Sequence, residues 1–304
     1  MKKVLILLST YNGEKYLREQ LDSIVRQKDV EVTVLVRDDG SNDGTLKILE
    51  GYRQHYPSMF LIEQGENVGC RLSFFWLIKK AADDYTDFDY YAFADQDDVW
   101  LEDKMISGVI ALDQVDNDYK IYYCNYQMVD ENLNKIRTRL PKNLGTLEEA
   151  FILQPCIGCS MILSKKLIQQ ASLPNFSECD IHDTWTYRLN LALGGSVIQD
   201  NIAHLNYRQH GSNVVGSNQS FLKKWNRRIK SFKKKSTIKS KQAREIVRCY
   251  SEIIPKDRLY FLTLIGNYKD SIRKKMTILF SKKIKSRRVV HNYLFKLAIL
   301  TNRI

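Results

Sequence analysis

Asp95-Gln96-Asp97-Asp98 places three carboxylates within four positions. Carboxylates this close repel one another unless a cation or a proton sits between them. Oxygen-rich sites suit Mg²⁺ or Mn²⁺, ions that often combine one or two protein carboxylates with substrate phosphates. The same string could instead be an acidic helix cap, with Asp98 or Glu102 facing the N-terminus of the helix that follows. Asp38-Asp39 is a second pair. A carboxylate there could accept a hydrogen bond from a pyrimidine N–H or a ribose hydroxyl. Turn chemistry accounts for Ser41 to Gly44 and accounts less well for two successive Asp before them. In Ser9-Thr10-Tyr11-Asn12-Gly13, Tyr11 could stack on a base or simply pack.

The elements that must carry these clusters are legible from hydrophobic patterning. Val4 to Leu8, Val32 to Val36 and Tyr90 to Ala94 are continuous apolar runs, as in strands buried on both faces, and Phe60 to Ile62 is a shorter strand. Helices are expected over Glu14 to Gln27, Thr45 to Tyr52 and about Leu72 to Ala82. Alternating strands and helices imply an α/β fold with a mostly parallel sheet. The three polar clusters then follow the carboxyl ends of strands, the edge where open α/β sheets bind ligands. Beyond Trp100 the alternation weakens, with strands read at Tyr119 to Tyr126 and Cys156 to Leu163 and a helix at Asp183 to Leu193. From Phe221 the pattern is helical and basic, with Trp225, Ile229 and Phe232 at helical spacing, then Leu259 to Ile265, Met276 to Phe280 and Val289 to Leu300. A boundary near Ser217 to Ser220 gives a domain over 1–218 and a basic helical region over 219–304.

The 304 residues carry a formal net charge of +12, which alone would suggest a nucleic-acid or membrane-surface binder. That figure averages two unlike parts. Met1 to Ser220 holds 22 Lys and Arg against 31 Asp and Glu, or −9, and Phe221 to Ile304 holds 25 against 4, or +21. Ordinary hydrophobic and aromatic contents of 44% and 11% exclude disordered and collagen-like chains. Six scattered cysteines suggest free thiols in a reducing cytosol, and Cys156-Ile-Gly-Cys159 is read as packing rather than as a zinc or redox pair. The apolar run after Met1-Lys2-Lys3 is too short for a signal peptide, and no run reaches the ~18 residues of a membrane span. The protein is therefore expected to stay in the cytoplasm.

Taken in order, Ser9-Thr10-Tyr11-Asn12-Gly13, Asp38-Asp39-Gly40-Ser41-Asn42-Asp43-Gly44-Thr45, Asn67-Val68-Gly69 and Asp95-Gln96-Asp97-Asp98-Val99-Trp100 resemble the inverting family 2 glycosyltransferases. The last string is most similar to the rhamnosyltransferase-like branch. The likeness is specific to about Lys104, looser to about Gly216, and absent beyond.

The resemblance implies a GT-A fold, a divalent metal (Mn or Mg) and a nucleoside-diphosphate sugar, either dTDP- or UDP-linked. It places Thr10, Tyr11, Asp38 and Asp39 around the nucleoside, Arg71 at the base or diphosphate, Asp95 at ribose or metal, and Asp97 on the metal. Inverting transfer also needs a base for the acceptor hydroxyl. The likeness assigns that role to Asp183 in Ile181-His182-Asp183-Thr184-Trp185; read from the residue alone, Asp183 caps its helix. His210 would complete the metal site or meet the diphosphate, and Arg208 would meet diphosphate charge. The expected acceptor is a lipid-linked saccharide in bacterial cell-surface polysaccharide synthesis. The basic tail is expected to hold the protein against the inner face of an anionic membrane. Two other readings are weaker. A nucleotidyltransferase would want a Gly-rich phosphate loop that Ser9 to Glu14 lacks. A nucleic-acid binder would explain the tail and none of the Asp clusters, so no nucleic-acid partner is expected.

Overall fold

The computed structural model describes residues 1–139, 145–153, 156–210, 237–286 and 289–304. The apolar runs read from the sequence form β1 (Lys3–Thr10), β2 (Glu31–Asp38) and β4 (Tyr90–Ala94), with β3 (Phe60–Gln64) beside them. Val4 to Leu8 are fully buried, which is why the run shows no alternation. Between these strands lie α1 (Leu17–Val25), α2 (Thr45–His55) and α3 (Cys70–Asp84). Each crossover brings the next strand back parallel to β1 or to its neighbour, in the order β3-β2-β1-β4.

The rest of the nine-stranded sheet is mixed. After β5 (Val99–Trp100) and α4 (Lys104–Asp113) come β6 (Lys120–Val129), β7 (Lys135–Arg139), β8 (Met161–Ser164), α6 (Lys165–Ala171) and the long β9 (Ser196–Arg208). A helix α5 (Leu147–Ile152) lies between β7 and β8 in the chain. β8 runs antiparallel between β4 and β6, and β9 runs parallel to β6. Of the strand expected over Cys156 to Leu163, only Met161 to Leu163 joins the sheet, in a strand that runs on to Ser164; Gly158 to Ser160 form a 3₁₀ turn. Val4, Ile6 and Leu8 share one core with Leu17, Leu21 and Ile24 of α1, Leu49 of α2 and Met105, Val109 and Leu112 of α4. Strand side chains alternate between faces, so Phe93 points the other way and meets Phe74 of α3 edge-on at 5.8 Å.

The chain divides into two compact units: 1–143, 156–173 and 195–209 hold the sheet, and 144–155, 174–194 and 210–304 form the second. The cut expected at 218/219 and the helical spacing of Trp225, Ile229 and Phe232 fall outside the described residues. The second unit takes in more than the C-terminal region expected from charge. It comprises α5, α7 (His182–Ala192), α8 (Ile238–Tyr250), α9 (Lys256–Gly266), α10 (Ile272–Phe280) and α11 (Val289–Leu300). Packing explains the wider membership. Arg188 of α7 is buried, donates to Gln242 of α8 and to the Ala150 carbonyl at 3.0 Å, and stacks over Phe151. Glu245 of α8 accepts the Asn175 amide at 2.6 Å. No helix among the described residues is long and apolar enough to cross a membrane.

Candidate functional site

Strand register brings the polar clusters together. Thr10 pairs with Asp38 and Leu8 with Ala94, so the loops after β1, β2 and β4 leave the sheet side by side. Asp38 is buried and closes the first junction. One of its oxygens accepts from the Thr10 hydroxyl at 2.9 Å and the Ser41 hydroxyl at 2.6 Å, and the other from the Ser41 amide at 2.8 Å. Three further bonds join the first two loops: Asn12 N to Ser41 Oγ, Asn42 N to Asn12 Oδ1 and Gly13 N to Thr45 Oγ1.

Asp39, also buried, organises the loop after β3. It accepts the Val68 amide at 3.0 Å and the Gly69 amide at 2.8 Å, while Arg37 donates to it at 3.3 Å and stacks over Trp76. A carboxylate has about four lone-pair positions, and these bonds take three, so Asp39 keeps acceptor capacity for one more donor. Gly40 between these loops has φ +81°, and a Cβ there would lie 3.2 Å from the Asn67 nitrogen, so glycine is required. Arg71 lies in the first turn of α3, partly exposed, with its guanidinium 5.9 Å from the Phe75 ring. Tyr11 is 45% exposed, as a stacking platform must be.

The loop after β4 is joined to the first loop by Gln96. Its amide accepts from Tyr11 N at 2.8 Å and donates to Tyr11 O at 3.1 Å, copying a strand pairing with a side chain. The fit is close: a Cβ on Gly13 would stand 2.4 Å from Gln96 Oε1. Nothing in the sequence signals this role for a Gln between two Asp.

Asp95, Asp98 and Cys159 each bring a ligand atom within 4.8 Å of the others. Asp98 is fully buried; its Oδ1 accepts the Arg208 amide at 3.2 Å, and its Oδ2 has no hydrogen-bond partner. Burial, reinforced by the charges of Asp97 and Asp95, raises the Asp98 carboxyl well above the usual carboxylate range. Burial also raises the Cys159 thiol, and the charges of Asp98 and Asp95 beside it push the same way. An orphaned carboxylate oxygen beside a second carboxylate fits a hard divalent cation, which would replace the proton that repulsion otherwise demands. A buried, protonated thiol does not suit Mg²⁺ as a ligand. All six cysteines are free thiols.

The predicted ligands divide at this point. Asp95 belongs to the group that could hold an ion, whereas Asp97 and the partly buried His210 lie outside it. Arg208, expected at the diphosphate, is instead occupied inside the protein. Its guanidinium donates to the Asp97 carbonyl at 2.9 Å, the Glu131 carbonyl at 2.5 Å and Glu19 at 2.5 Å, and it stacks over Tyr16. Burial of all but 1% of its surface makes it a brace behind the acidic loop.

Asp183 sits in the first turn of α7 and is 9% exposed. The cap position is Ile181, and Asp183 Oδ1 instead accepts the Thr184 amide at 2.5 Å and the Thr184 hydroxyl at 3.2 Å. Burial pushes its neighbour His182 down to about 3, so the imidazole stays neutral.

The glycosyl transferase family 2 model matches residues 5–171. The chain belongs to that family. The glycosyltransferase is 32% identical over 233 residues to a dTDP-rhamnosyl transferase, RfbG, of Shigella flexneri, with 72% of this chain and 77% of that protein covered. Among solved structures it is similar to S. aureus TarS in complex with UDP-GlcNAc, at TM-score 0.59 and 17% identity over 99% of this chain and 80% of that one. It is also similar to a mannosyltransferase from Pyrobaculum calidifontis in complex with GDP-Man and Mn²⁺, at TM-score 0.52 and 14% identity over 99% and 88% of the two chains. These likenesses establish the GT-A fold.

Proposed function

We propose that this glycosyltransferase moves a sugar, with inversion, from a nucleoside-diphosphate donor to a saccharide hydroxyl. The observation that carries the reading is the ligand edge itself: loops after β1, β2, β3 and β4 fastened together by Asp38, Asp39 and Gln96, beside an acidic cluster with an orphaned oxygen. Thr10, Tyr11 and Asp39 receive the nucleoside, with Tyr11 against the base and the open position of Asp39 for an N–H or hydroxyl donor. Arg71, in the first turn of α3, supplies positive charge toward base or diphosphate. Asp95 and Asp98, whose oxygens come together, would hold a divalent ion, Mg²⁺ or Mn²⁺, with Asp97 as the further ligand that the family resemblance assigns, and such an ion would neutralise charge gathering on the departing diphosphate. Arg208 acts behind them by fixing the carbonyl of Asp97. His210 remains a candidate for the same ion.

The acceptor oxygen attacks the anomeric carbon as the bond from that carbon to the diphosphate oxygen breaks, and Asp183 takes the hydroxyl proton. His182, buried and neutral, sets no positive charge beside Asp183. The name of the Shigella relative favours dTDP-rhamnose as donor. A lipid-linked saccharide in cell-surface polysaccharide synthesis is the proposed acceptor, presented at the cytoplasmic face of a membrane. The +21 region from Phe221 to Ile304 meets the anionic lipid there.

The test is nucleotide release from a panel of dTDP-, UDP- and GDP-sugars with Mn²⁺ or Mg²⁺. Turnover with one donor, abolished by EDTA, is expected; no turnover with any donor, or full activity in EDTA, refutes the reading. Asp183→Asn should lower turnover by about 10³-fold or more, with donor affinity within a few-fold of wild type. Lost donor binding would reassign Asp183 to the donor pocket.

A further inference from the structure

The last two helices expose apolar faces that nothing in the described structure covers. On α10, Ile272, Met276 and Phe280 recur every four residues and are all exposed, Phe280 at 75%, while Ile278 on the opposite side is buried. On α11, Val289, Tyr293, Leu297 and Leu300 fall on one side and are exposed, Tyr293 at 71%. Phe295 and Ile299, on the other side of α11, are buried. A helix normally buries one apolar stripe and shows water a polar face; α11 is apolar on both sides.

The surrounding charge is of one sign. From Ser271 to Ile304 the sequence has ten Lys and Arg and no Asp or Glu. Apolar side chains set among uncompensated cations match an anionic lipid interface, where acyl chains take the first and headgroups the second. A second copy of this chain would bring the same cations against themselves. A nucleic-acid backbone would satisfy the cations and leave Ile272, Met276 and Leu297 facing phosphate. At 12 residues, α11 is about 18 Å long and cannot span a hydrocarbon core of about 30 Å, so it would lie in the plane of the interface.

We infer that the exposed stripes of α10 and α11 insert into the surface of an anionic membrane and fix the enzyme there. The inference rests on the membrane reading above and narrows it from a diffuse basic region to two helix faces. The experiment uses the full chain and vesicles of phosphatidylcholine with or without phosphatidylglycerol, at low and high salt. The comparison is a variant carrying Met276→Gln, Phe280→Gln, Tyr293→Gln and Leu297→Gln, which keeps every Lys and Arg. These side chains are exposed, so its thermal melt should match wild type.

Wild type should sediment with phosphatidylglycerol vesicles and the variant should bind about tenfold or more weakly. Tyr293→Trp in the otherwise unchanged chain should show a blue-shifted emission when those vesicles are added. Equal binding by wild type and variant would overturn the insertion while leaving charge-driven binding in place. No vesicle binding by wild type would overturn both. A concentration-dependent dimer that the four substitutions dissolve would overturn the lipid assignment in favour of a second copy.

Discussion

His182 and Asp183 are chain neighbours at the start of α7, and both are buried. Asp183 sits where the partial positive charge of the helix N-terminus favours its carboxylate. His182 is enclosed, and the loss of water around the imidazolium lowers its proton affinity from 6.5 to about 3. The unfolded chain therefore binds a proton at His182 between those values while the folded chain does not. Stability from this group is fully present above pH 6.5 and declines as pH falls toward 3. Between pH 6.5 and about pH 5 the loss should be roughly 1–2 kcal/mol, since each pH unit of differential protonation is worth about 1.4 kcal/mol. Urea midpoints across that range should fall more steeply for wild type than for His182→Gln, whatever the variant's absolute stability. Parallel slopes would show that folded His182 takes up its proton as readily as the unfolded chain.

At the scale of elements, the site is a set of loops whose strands were legible and whose fastenings were not. β1, β2 and β4 declared themselves because burial on both faces removes polar residues altogether. β9 did not: Ser-Val-Ile-Gln-Asp-Asn-Ile-Ala-His-Leu-Asn-Tyr-Arg has neither period, because only its second half is deeply buried. Asp38 and Asp39 stood out by type, but the backbone amides that they hold lie in loops the sequence does not bring together. Arg37 carried a usable signal, a charge at the end of a buried strand; Gln96 carried none, because its partner Tyr11 lies 85 residues away. Gln96 nevertheless holds two loops in register with two bonds. Gln96→Ala should cost about 0.5–1.5 kcal/mol in thermal or urea stability, since the Tyr11 amide and carbonyl are exposed and water can replace the lost bonds. Because the Tyr11 backbone loses its anchor, donor KM should rise about tenfold with kcat reduced less. An unchanged donor KM would mean that the Asp38 and Ser41 bonds suffice to place the first loop.

At the scale of the whole molecule, charge and packing give different boundaries. The switch from −9 to +21 near residue 220 is a property of the surface, whereas a domain is defined by what is enclosed. The second unit encloses residues from both sides of that switch. Arg188 is buried against Gln242, the Asn175 amide is received by Glu245, and Phe151 meets Phe261 edge-on at 5.5 Å. Cutting the chain after 218 removes every second member of these pairs and leaves a buried guanidinium and a backbone amide to find new partners. Each stranded polar group costs about 1–3 kcal/mol, against a total stability of about 5–15 kcal/mol for a domain, before the loss of the α8 and α9 core is counted. The truncated chain should therefore fail to fold as an enzyme: protease should cut within 174–194, and sugar transfer should be lost even with a soluble acceptor. This outcome separates the two roles of the C-terminal region, since the four exposed-face substitutions on α10 and α11 should release the enzyme from lipid and leave 174–194 protected. A truncated chain that resists protease there and transfers sugar at the wild-type rate would show that α7 stands without α8 and α9, and that charge had marked the boundary correctly.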